Sequence, residues 1–445
     1  MSNPNDIRMI EFFSGIGGMR YGVEDAIRKQ HQQQHQQQQS DEKILLTSCI
    51  AYEISQYANQ TYSLNFNEPI SSYKNKYTAK SRKNIAKSSL PESSFQIYTK
   101  LIEQLKVKDV EGANIWTMSP PCQPFTTTRN AKQKDSEDER CNGFKAIMDL
   151  LRQLKTSTTT FEPPKWIFVE NVKGFMGSNM IQEWYECLKE CGYHWEEYLL
   201  NPTQLGIPNN RTRYYMLAER SNRFSTCATT NPYDTDSDSD SDHDINRKND
   251  VVRGNVHNTL PLLYSSSSDN PMSRNRTTKR PLSDYIQPFL IDNINENNDD
   301  CNEIRYKIKM KEYIIPDDIF DKDWAVDIPI VSPFDTITHC FTAGYGRQIH
   351  KATGSLLLLD KDRSKSVEEE PIDRSNISAL KGGKVRRFTP YELVLLFGFT
   401  KEFRFPDSIS LEHRYKLVGN SVNVNVVSYL LQYLLFQSNK HVFFK

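Results

Sequence analysis

Short apolar runs alternate with helical patterns through the first half of the chain, and this alternation restricts its fold more than any other feature. Strand-like runs cover Ile7–Phe13, Ile44–Tyr52, Ile115–Met118 and Trp166–Val169. Helical patterns cover Met19–Arg28, Phe144–Leu154 and Ile181–Cys191. Strands separated by helices favour a parallel sheet with helices on both of its faces. The sequence therefore predicts an α/β fold with a Rossmann-like, doubly wound, mostly parallel sheet.

Three polar stretches interrupt this pattern. They are the Gln-rich residues 30–39, the Lys-, Ser- and Asn-rich residues 71–94, and the Ser- and Asp-rich residues 221–280. Such compositions offer few apolar side chains for a packed core. We interpret all three as solvated insertions and expect the third to be largely disordered. The alternative is a regulatory segment or one that steers a nucleic acid.

The insertions separate three predicted parts of the chain. Residues 1–220 form a first domain that contains the alternating pattern. Residues 281–384 are mixed and β-rich, which predicts a smaller second domain. Residues 385–445 are expected to return to the first domain, with helices at Phe388–Leu396 and Val424–Leu435.

Composition limits the compartment and the partners. The 445 residues include 56 Lys and Arg against 56 Asp and Glu, so nucleic-acid binding would need a local basic face. No apolar run reaches membrane-spanning length, and the start of the chain lacks a secretory signal pattern. The eight cysteines show no regular pairing, and Cys187 and Cys191 share a helix face suited to packing. We expect the cytosol or the nucleus, and the sequence does not choose between them.

A glycine-rich turn follows the first strand-like run and reads Phe12-Phe13-Ser14-Gly15-Ile16-Gly17-Gly18. Glycines allow a sharp turn close to a ligand, which the free amides of the following helix also face. Glu53 ends the next strand, where a carboxylate can bind ribose hydroxyls. The Gln-rich tract accounts for the long spacing between loop and acid. The pair predicts a ribose-containing cofactor; the alternatives are an ordinary turn and a surface glutamate.

Cys122 lies in the sequence Met118-Ser119-Pro120-Pro121-Cys122-Gln123-Pro124-Phe125. Three prolines around one cysteine exclude a helix or a central strand, so we predict a rigid loop after the strand Ile115–Met118. A thiolate on such a loop is a candidate nucleophile. No Cys or His lies at metal-ligand spacing, and no resolving Cys is near, which disfavours a metal site and a thiol oxidoreductase.

Three further charged residues follow or begin predicted strands. Glu170 follows Trp166–Val169, so it is expected at the same sheet edge as Cys122, where its carboxyl group could bind a heterocycle. Arg211 and Arg213 are two residues apart, so a strand that includes both would direct them to one face. Two guanidinium groups there suit a phosphate or a base oxygen. A solvated glutamate and a surface ion-pair face are the alternatives. No phosphate-binding Gly-Lys-Ser/Thr pattern follows the glycine loop, so triphosphate hydrolysis is unsupported.

Taken together, these segments resemble the ordered motifs of the cytosine-C5 methyltransferase superfamily. The motifs are the glycine loop, Pro120–Gln123, Glu170–Val172, Gln204–Arg213 and Gly419–Val424. In addition, Cys340-Phe341-Thr342 resembles a signature of the DNA-methyltransferase-like family that methylates transfer RNA. The resemblance covers most of the chain apart from the three insertions. One departure is Asn114, where that family often has Asp.

The resemblance implies a tRNA (cytosine-C5) methyltransferase that uses S-adenosylmethionine and acts on an anticodon-loop cytosine of aspartate tRNA. Residues 281–384 would be its target-recognition domain. By the same resemblance Cys122 is the nucleophile, Glu170 engages N3 and the amine of the base, and Arg211 and Arg213 support base and phosphate. No metal is implied.

The resemblance also implies two sets of binding residues. The expected cofactor contacts are Phe13, Gly15, Ile16, Gly17, Gly18, Glu53, Ile54, Ile102, Glu103, Ser119, Asn420, Ser421 and Val422. The expected substrate contacts are Gln123, Thr126, Cys340, Phe341 and Thr342. Two alternatives stay open: the same chemistry on DNA, and a non-catalytic protein that keeps the fold and binds RNA or cofactor. The sequence predicts no oligomeric state.

Overall fold

The computed structural model of this chain describes residues 6–36, 44–72, 94–121, 137–157, 161–220, 256–261, 263, 278–286, 311–359 and 364–436. Three predicted site residues, Cys122, Gln123 and Thr126, lie outside the described residues. Most of the insertions at 71–94 and 221–280 also lie outside them, so the disorder expected there stays a prediction.

A large sheet forms the centre of the first domain. Its strands are β1 (Asp6–Phe12), β2 (Leu45–Glu53), β3 (Ile70–Ser72), β4 (Phe95–Thr99), β5 (Ile115–Met118), β6 (Trp166–Val172), β7 (His194–Leu200), β8 (Arg213–Glu219) and β9 (Val256–His257). Their order is β3-β4-β2-β1-β5-β6-β8-β7-β9. Neighbours from β3 to β6 are parallel, and β8 runs antiparallel to both β6 and β7. The predicted doubly wound, mostly parallel sheet is confirmed.

Helices cover both faces of this sheet. The described α-helices are α1 (Gly18–Gln36), α2 (Gln56–Phe66), α3 (Val107–Val110), α4 (Asn142–Thr156), α5 (Asn179–Glu190), α6 (Pro390–Leu396), α7 (Leu411–Gly419) and α8 (Val424–Phe436), of which α6 and α7 pack in the core of the smaller domain instead of on this sheet. Successive strand residues point to opposite faces. Thus Ile10 and Phe12 pack with α4 and α5, whereas Ile7 and Met9 pack with α1 and α8. None of the described helices is both long and apolar enough to cross a membrane.

The departure at Asn114 has a structural explanation. The Asn114 side chain accepts a hydrogen bond from the Arg8 amide at 2.8 Å, and its Nδ2 donates to the Asp6 carbonyl at 2.6 Å. An ionised Asp could accept the first bond but has no donor for the second. Asn114 therefore joins the start of β5 to β1 through both ends of its amide group.

Two local predictions were wrong in extent. Helix α1 continues to Gln36, so Gln30–Gln36 are helical rather than an irregular loop; glutamine is a good helix former and extends the packed helix into solvent. Strand β6 continues through Glu170 to Val172, because Glu170 pairs with Tyr215 and Val172 with Arg213 across the antiparallel β8. Glu170 is therefore held within a strand and not in a loop.

The smaller domain contains less β structure than expected. Its described residues form one three-stranded sheet of β10 (Ile330–Val331), β11 (Leu356–Leu358) and β12 (Val385–Arg386), together with several 3-10 turns. Its core is aromatic, and Phe341 makes edge-on contacts with the rings of Tyr345 and Phe388. The domain is therefore β-containing, as predicted, but most of its described backbone is turn and loop.

The contact between α1 and α8 joins the two ends of the described chain and gives a direct stability test. A Cβ at Gly22 would lie 2.4 Å from Cγ1 of Val427 on α8. We expect Gly22→Ala to lower the free energy of unfolding by about 1–3 kcal/mol, because overpacking outweighs alanine's higher helix propensity. Urea denaturation measures the effect. Gly177→Ala is the control, since a Cβ there meets no atom within 4 Å; equal stability of both variants would contradict this packing.

Candidate active site

The glycine loop lies at the carboxyl end of β1 and fits between α2 and the segment before α8. Gly15 and Gly17 have φ values of +54° and +86°, a region that favours glycine. A Cβ at Gly17 would lie 2.5 Å from the Phe66 ring, and one at Gly18 would lie 2.6 Å from Val422. The loop backbone therefore approaches both neighbours more closely than any side chain would allow.

Glu53 lies directly beside this loop, as the sequence predicted. Its Oε2 accepts the Gly15 amide at 3.0 Å, and its Oε1 accepts the amides of Ile54 and Ser55 at 2.9 and 2.8 Å. A carboxylate has about four acceptor positions, so three amide donors fix its orientation and leave one for a ligand hydroxyl. The Gln-rich insertion separates Glu53 from the loop in sequence but not in space.

An apolar surface adjoins Glu53. Ile54 is 59% exposed, and Phe13 has a left-handed φ of +54°, which is rare for a large side chain. A Cβ at Gly143 would lie 3.0 Å from the Phe13 ring and 3.6 Å from the Glu103 carboxylate. Phe13 and Glu103 therefore meet over one glycine of α4, while Ile102 is buried beneath them. A planar heterocycle fits such a surface.

The third wall comes from the loop before α8. A Cβ at Gly18 would lie 3.0 Å from Oγ of Ser421, so this loop touches the glycine turn. Asn420 is exposed and Val422 is buried. Within the turn, the Ser14 hydroxyl is buried and has no hydrogen-bond partner in the described protein. A buried hydroxyl needs a partner, and the combined donors, carboxylate and apolar surface fit S-adenosylmethionine.

A second part of the candidate site lies where β5, β6 and β8 meet. Ser119 Oγ donates to Oε2 of Glu170 at 2.7 Å, and Arg213 Nε lies 3.6 Å from Oε1 of the same carboxylate. Asn171 Nδ2 donates to the Pro120 carbonyl at 3.3 Å. The adjacent residues Glu170 and Asn171 thus hold the segment Ser119–Pro120, which precedes Cys122 in the sequence.

The two arginines occupy different environments, although both approach the thiol of Cys340. Arg211 Nη1 and Arg213 Nη2 lie 3.8 and 3.9 Å from Cys340 Sγ. Burial and the nearby Arg213 lower the pKa of Arg211. Burial also acts to lower the pKa of Arg213, but the negative potential of Cys340, Glu170 and Tyr215 outweighs it and raises that pKa. Arg213 therefore forms an ion pair with the Glu170 carboxylate. Arg211 has other partners.

Arg211 donates to backbone carbonyl groups from two distant segments. Its Nη1 donates to Phe341 at 3.0 Å, and its Nη2 donates to Gly419 at 3.2 Å and Ser421 at 2.7 Å. The predicted strand does not reach Arg211, since β8 begins at Arg213. The strand expected to direct both arginines to one face is therefore absent at Arg211, although both guanidinium groups approach Cys340.

Sequence reasoning gave no role to three residues that the structure places in the site. They are Ser14, Asn171 and Gly419. Each lies beside a residue that was selected, so position within a motif was an available signal. Within the predicted substrate segment, the Phe341 ring is buried in the aromatic core while its carbonyl group accepts from Arg211, and Cys340 and Thr342 are half-buried. Cys187 on α5 and Cys191, the residue that ends this helix, are both buried, as predicted for packing residues.

Glu11 supports the glycine loop from beneath. Its Oε2 accepts the Tyr62 hydroxyl at 2.9 Å, and the Tyr62 ring also borders Gly17. Burial raises the pKa of Glu11 to about 8, against the opposing effects of the Tyr62 hydrogen bond and the Arg20 charge. The folded protein therefore favours the neutral acid.

This raised pKa predicts a specific pH dependence of stability. The folded protein holds the Glu11 proton more tightly than the unfolded chain does. This contribution to the free energy of unfolding is therefore complete below the ordinary pKa of 4.5 and is lost as pH rises through a pKa of about 8. We expect the free energy of unfolding to fall between these values in the wild type and to fall less in Glu11→Gln. Urea denaturation across this range measures both slopes; parallel curves would contradict a neutral Glu11.

The chain is similar to known proteins over nearly its whole length. A family model described as "C-5 cytosine-specific DNA methylase" matches residues 7–435. A mouse protein named tRNA (cytosine(38)-C(5))-methyltransferase is 30% identical over 96% of this chain and 93% of its own length. A Dictyostelium discoideum protein named DNA (cytosine-5)-methyltransferase is 28% identical over 96% and 94%. The solved structure of Entamoeba histolytica methyltransferase EhMeth has a TM-score of 0.62 and 25% identity, covering 96% of this chain and 98% of that one.

Proposed function

The chain belongs to the C-5 cytosine-specific DNA methylase family, and from this premise we propose that it methylates C5 of a cytosine in transfer RNA. Family membership makes it a cytosine-C5 methyltransferase that uses S-adenosylmethionine. The observation that carries the proposal is the convergence of Ser119, Glu170 and Arg213 beside the glycine loop and Glu53. One sheet edge thus offers a cofactor surface and a carboxyl group suited to a heterocycle.

The choice of transfer RNA rests on the segment Cys340–Thr342. This segment resembles the transfer-RNA-methylating family, and its residues contact Arg211 and Arg213 at the site. The mouse relative is named for cytosine 38 of transfer RNA. We propose the same position in aspartate tRNA for this chain. A flipped base leaves a loop at lower cost than a paired duplex, which favours an anticodon loop.

The proposed chemistry begins with the thiolate of Cys122. Its sulfur forms a bond to C6 of cytosine, and the electron pair of the C5–C6 double bond moves towards C5 and N3. Glu170 stabilises the charge that develops at N3 by a hydrogen bond or a proton, as a preorganised donor does. S-adenosylmethionine would supply an electrophilic methyl group: C5 would take it up as the methyl–sulfonium bond breaks, and S-adenosylhomocysteine would leave. Loss of the C5 proton to a base returns the electron pair and expels the Cys122 thiolate.

The neighbours of Glu170 prepare it for this role. Its side chain is 5% exposed and is fixed by Ser119 on one oxygen and Arg213 on the other. A buried carboxylate needs such partners, because an unpaired buried charge is costly. Arg213 is 15% exposed at its side chain, so it can also reach a base oxygen or a phosphate. We assign Arg213 to the substrate side of the site.

DNA is the second candidate substrate. The relative from Dictyostelium discoideum is named a DNA methyltransferase and is nearly as similar as the mouse protein. The test is to incubate the protein and methyl-labelled S-adenosylmethionine with total transfer RNA in one reaction and with genomic DNA in another, and to compare the label in the two nucleic acids. We expect label in transfer RNA and little or none in DNA. Label in DNA alone would overturn the substrate assignment.

Two substitutions test the residue roles. We expect Cys122→Ala to abolish methyl transfer, because C5 is not activated without the thiolate. Glu170→Gln should lower kcat about 10²–10³-fold, because an amide cannot transfer a proton to N3 as a carboxylic acid can. Both variants should still bind S-adenosylhomocysteine, which isothermal titration calorimetry measures.

The matched control for Glu170→Gln is Glu197→Gln. Glu197 is also a buried glutamate of the central sheet, where it accepts hydrogen bonds from the hydroxyl groups of Tyr185 and Tyr214. It lies outside the proposed machinery, so kcat of this variant should stay near that of the wild type. Full turnover by Cys122→Ala, or an equal loss of kcat in both glutamate variants, would contradict the assigned roles.

A further inference from the structure

Arg211 lies at a junction of three segments, which we call the Arg211 junction and define as Arg211, Phe341, Gly419 and Ser421. Its guanidinium group donates to all three carbonyl groups of the junction at 2.7–3.2 Å. Its plane also lies over the Phe397 ring, with 4.9 Å between the guanidinium carbon and the ring centroid. Arg211 is 4% exposed. The guanidinium group therefore donates mainly to backbone carbonyl groups and not to solvent.

A second close contact ties the same segments together without Arg211. A Cβ at Gly419 would lie 2.3–2.5 Å from backbone atoms of Thr342 and Ala343. The end of α7 therefore touches the loop that follows Cys340, backbone against backbone. Any side chain at position 419 would have to separate the two segments.

The two segments have different proposed ligands. Ser421 touches the glycine turn and belongs to the cofactor wall, whereas Cys340–Thr342 belongs to the substrate side. We propose that Arg211 is a positioning residue that couples these two segments, so that cofactor binding changes the state of the Cys340–Thr342 loop. The inference rests on the cofactor side of the proposed function and does not depend on the nucleic-acid substrate.

The coupling follows from the geometry of one rigid group. A guanidinium group is planar and presents its donors in a fixed fork, so Nη2 on Ser421 and Gly419 determines the position of Nη1 on Phe341. A ligand that orders the Ser421 segment also orders Arg211, which lowers the entropy cost of ordering the Phe341 segment. Lysine offers one flexible nitrogen and cannot hold three carbonyl groups in this geometry.

Arg213 does not share this role. It donates to its neighbour Thr212 and approaches Glu170, and no described contact joins it to Gly419 or Ser421. The two arginines, only two residues apart, therefore have different roles. Arg213 lies beside the Glu170 carboxylate, and Arg211 joins the two segments of the Arg211 junction.

The thiol of Cys340 reports on the substrate side of the junction. It is half-buried, whereas the other described cysteines are buried. The experiment measures the alkylation rate of Cys340 by iodoacetamide, peptide by peptide in a mass spectrometer, with and without saturating S-adenosylhomocysteine. We expect S-adenosylhomocysteine to change this rate at least about threefold in the wild type, in line with modest coupling between sites. We expect no change in Arg211→Lys.

Gly419→Ala supplies an independent variant, because it disturbs the same junction and keeps the arginine. It should also lose the response of Cys340. Arg374→Lys is the matched control, since Arg374 likewise donates to two backbone carbonyl groups, those of Val326 and Ile328, away from the junction. It should keep the full response. Calorimetric titration fixes the saturating concentration of S-adenosylhomocysteine for each protein.

Each outcome decides the proposal. A response lost in Arg211→Lys and Gly419→Ala but kept in Arg374→Lys supports it. A response kept in Arg211→Lys would mean that the cofactor shields Cys340 directly, and no response in the wild type would mean that the segments are independent; either result overturns it. Because no nucleic acid or methyl transfer enters the measurement, failure of the substrate assignment would leave this result unaffected.

Discussion

Parallel pairing at the centre of the sheet is the constraint on which the whole site depends. Strand β1 pairs in parallel with β2 and β5, and β5 pairs in parallel with β6. The carboxyl ends of these strands therefore lie at one edge, where ligands bind in open α/β sheets. The glycine loop follows β1, Glu53 ends β2, Ser119 follows β5, and Glu170 lies two residues before the end of β6. The pairing of the strands thus brings residues from four distant parts of the sequence to one edge of the sheet.

The reversal of direction at β8 adds the cationic side chain. Because β8 runs antiparallel to β6, its first residue, Arg213, pairs with Val172 near the carboxyl end of β6. A parallel strand in this position would begin at the opposite edge of the sheet. The antiparallel strand is thus what brings a guanidinium group within 3.6 Å of the Glu170 carboxylate.

Much of this arrangement could be predicted from sequence, because it depends on local patterns. The glycine turn, the strand ending at Glu53 and the prolines before Cys122 each carry a local signal. The contacts of Arg211 could not be predicted, since its partners Phe341, Gly419 and Ser421 are 130 to 210 residues away in the chain. The helical Gln30–Gln36 was missed because the same composition suits a solvated loop or a solvated helix. The β content of the smaller domain was overestimated because apolar residues packed in turns resemble short strands.

In the proposed reaction, a cysteine thiolate adds to C6 of a transfer-RNA cytosine before methyl transfer. Transfer RNA containing 5-fluorocytidine tests this directly, because fluorine at C5 cannot leave as a proton does and the covalent adduct persists. With S-adenosylmethionine present, we predict a protein–RNA complex that survives denaturing electrophoresis, with the RNA attached to Cys122. Methylation of ordinary transfer RNA without such a complex, or attachment at another residue, would contradict the account.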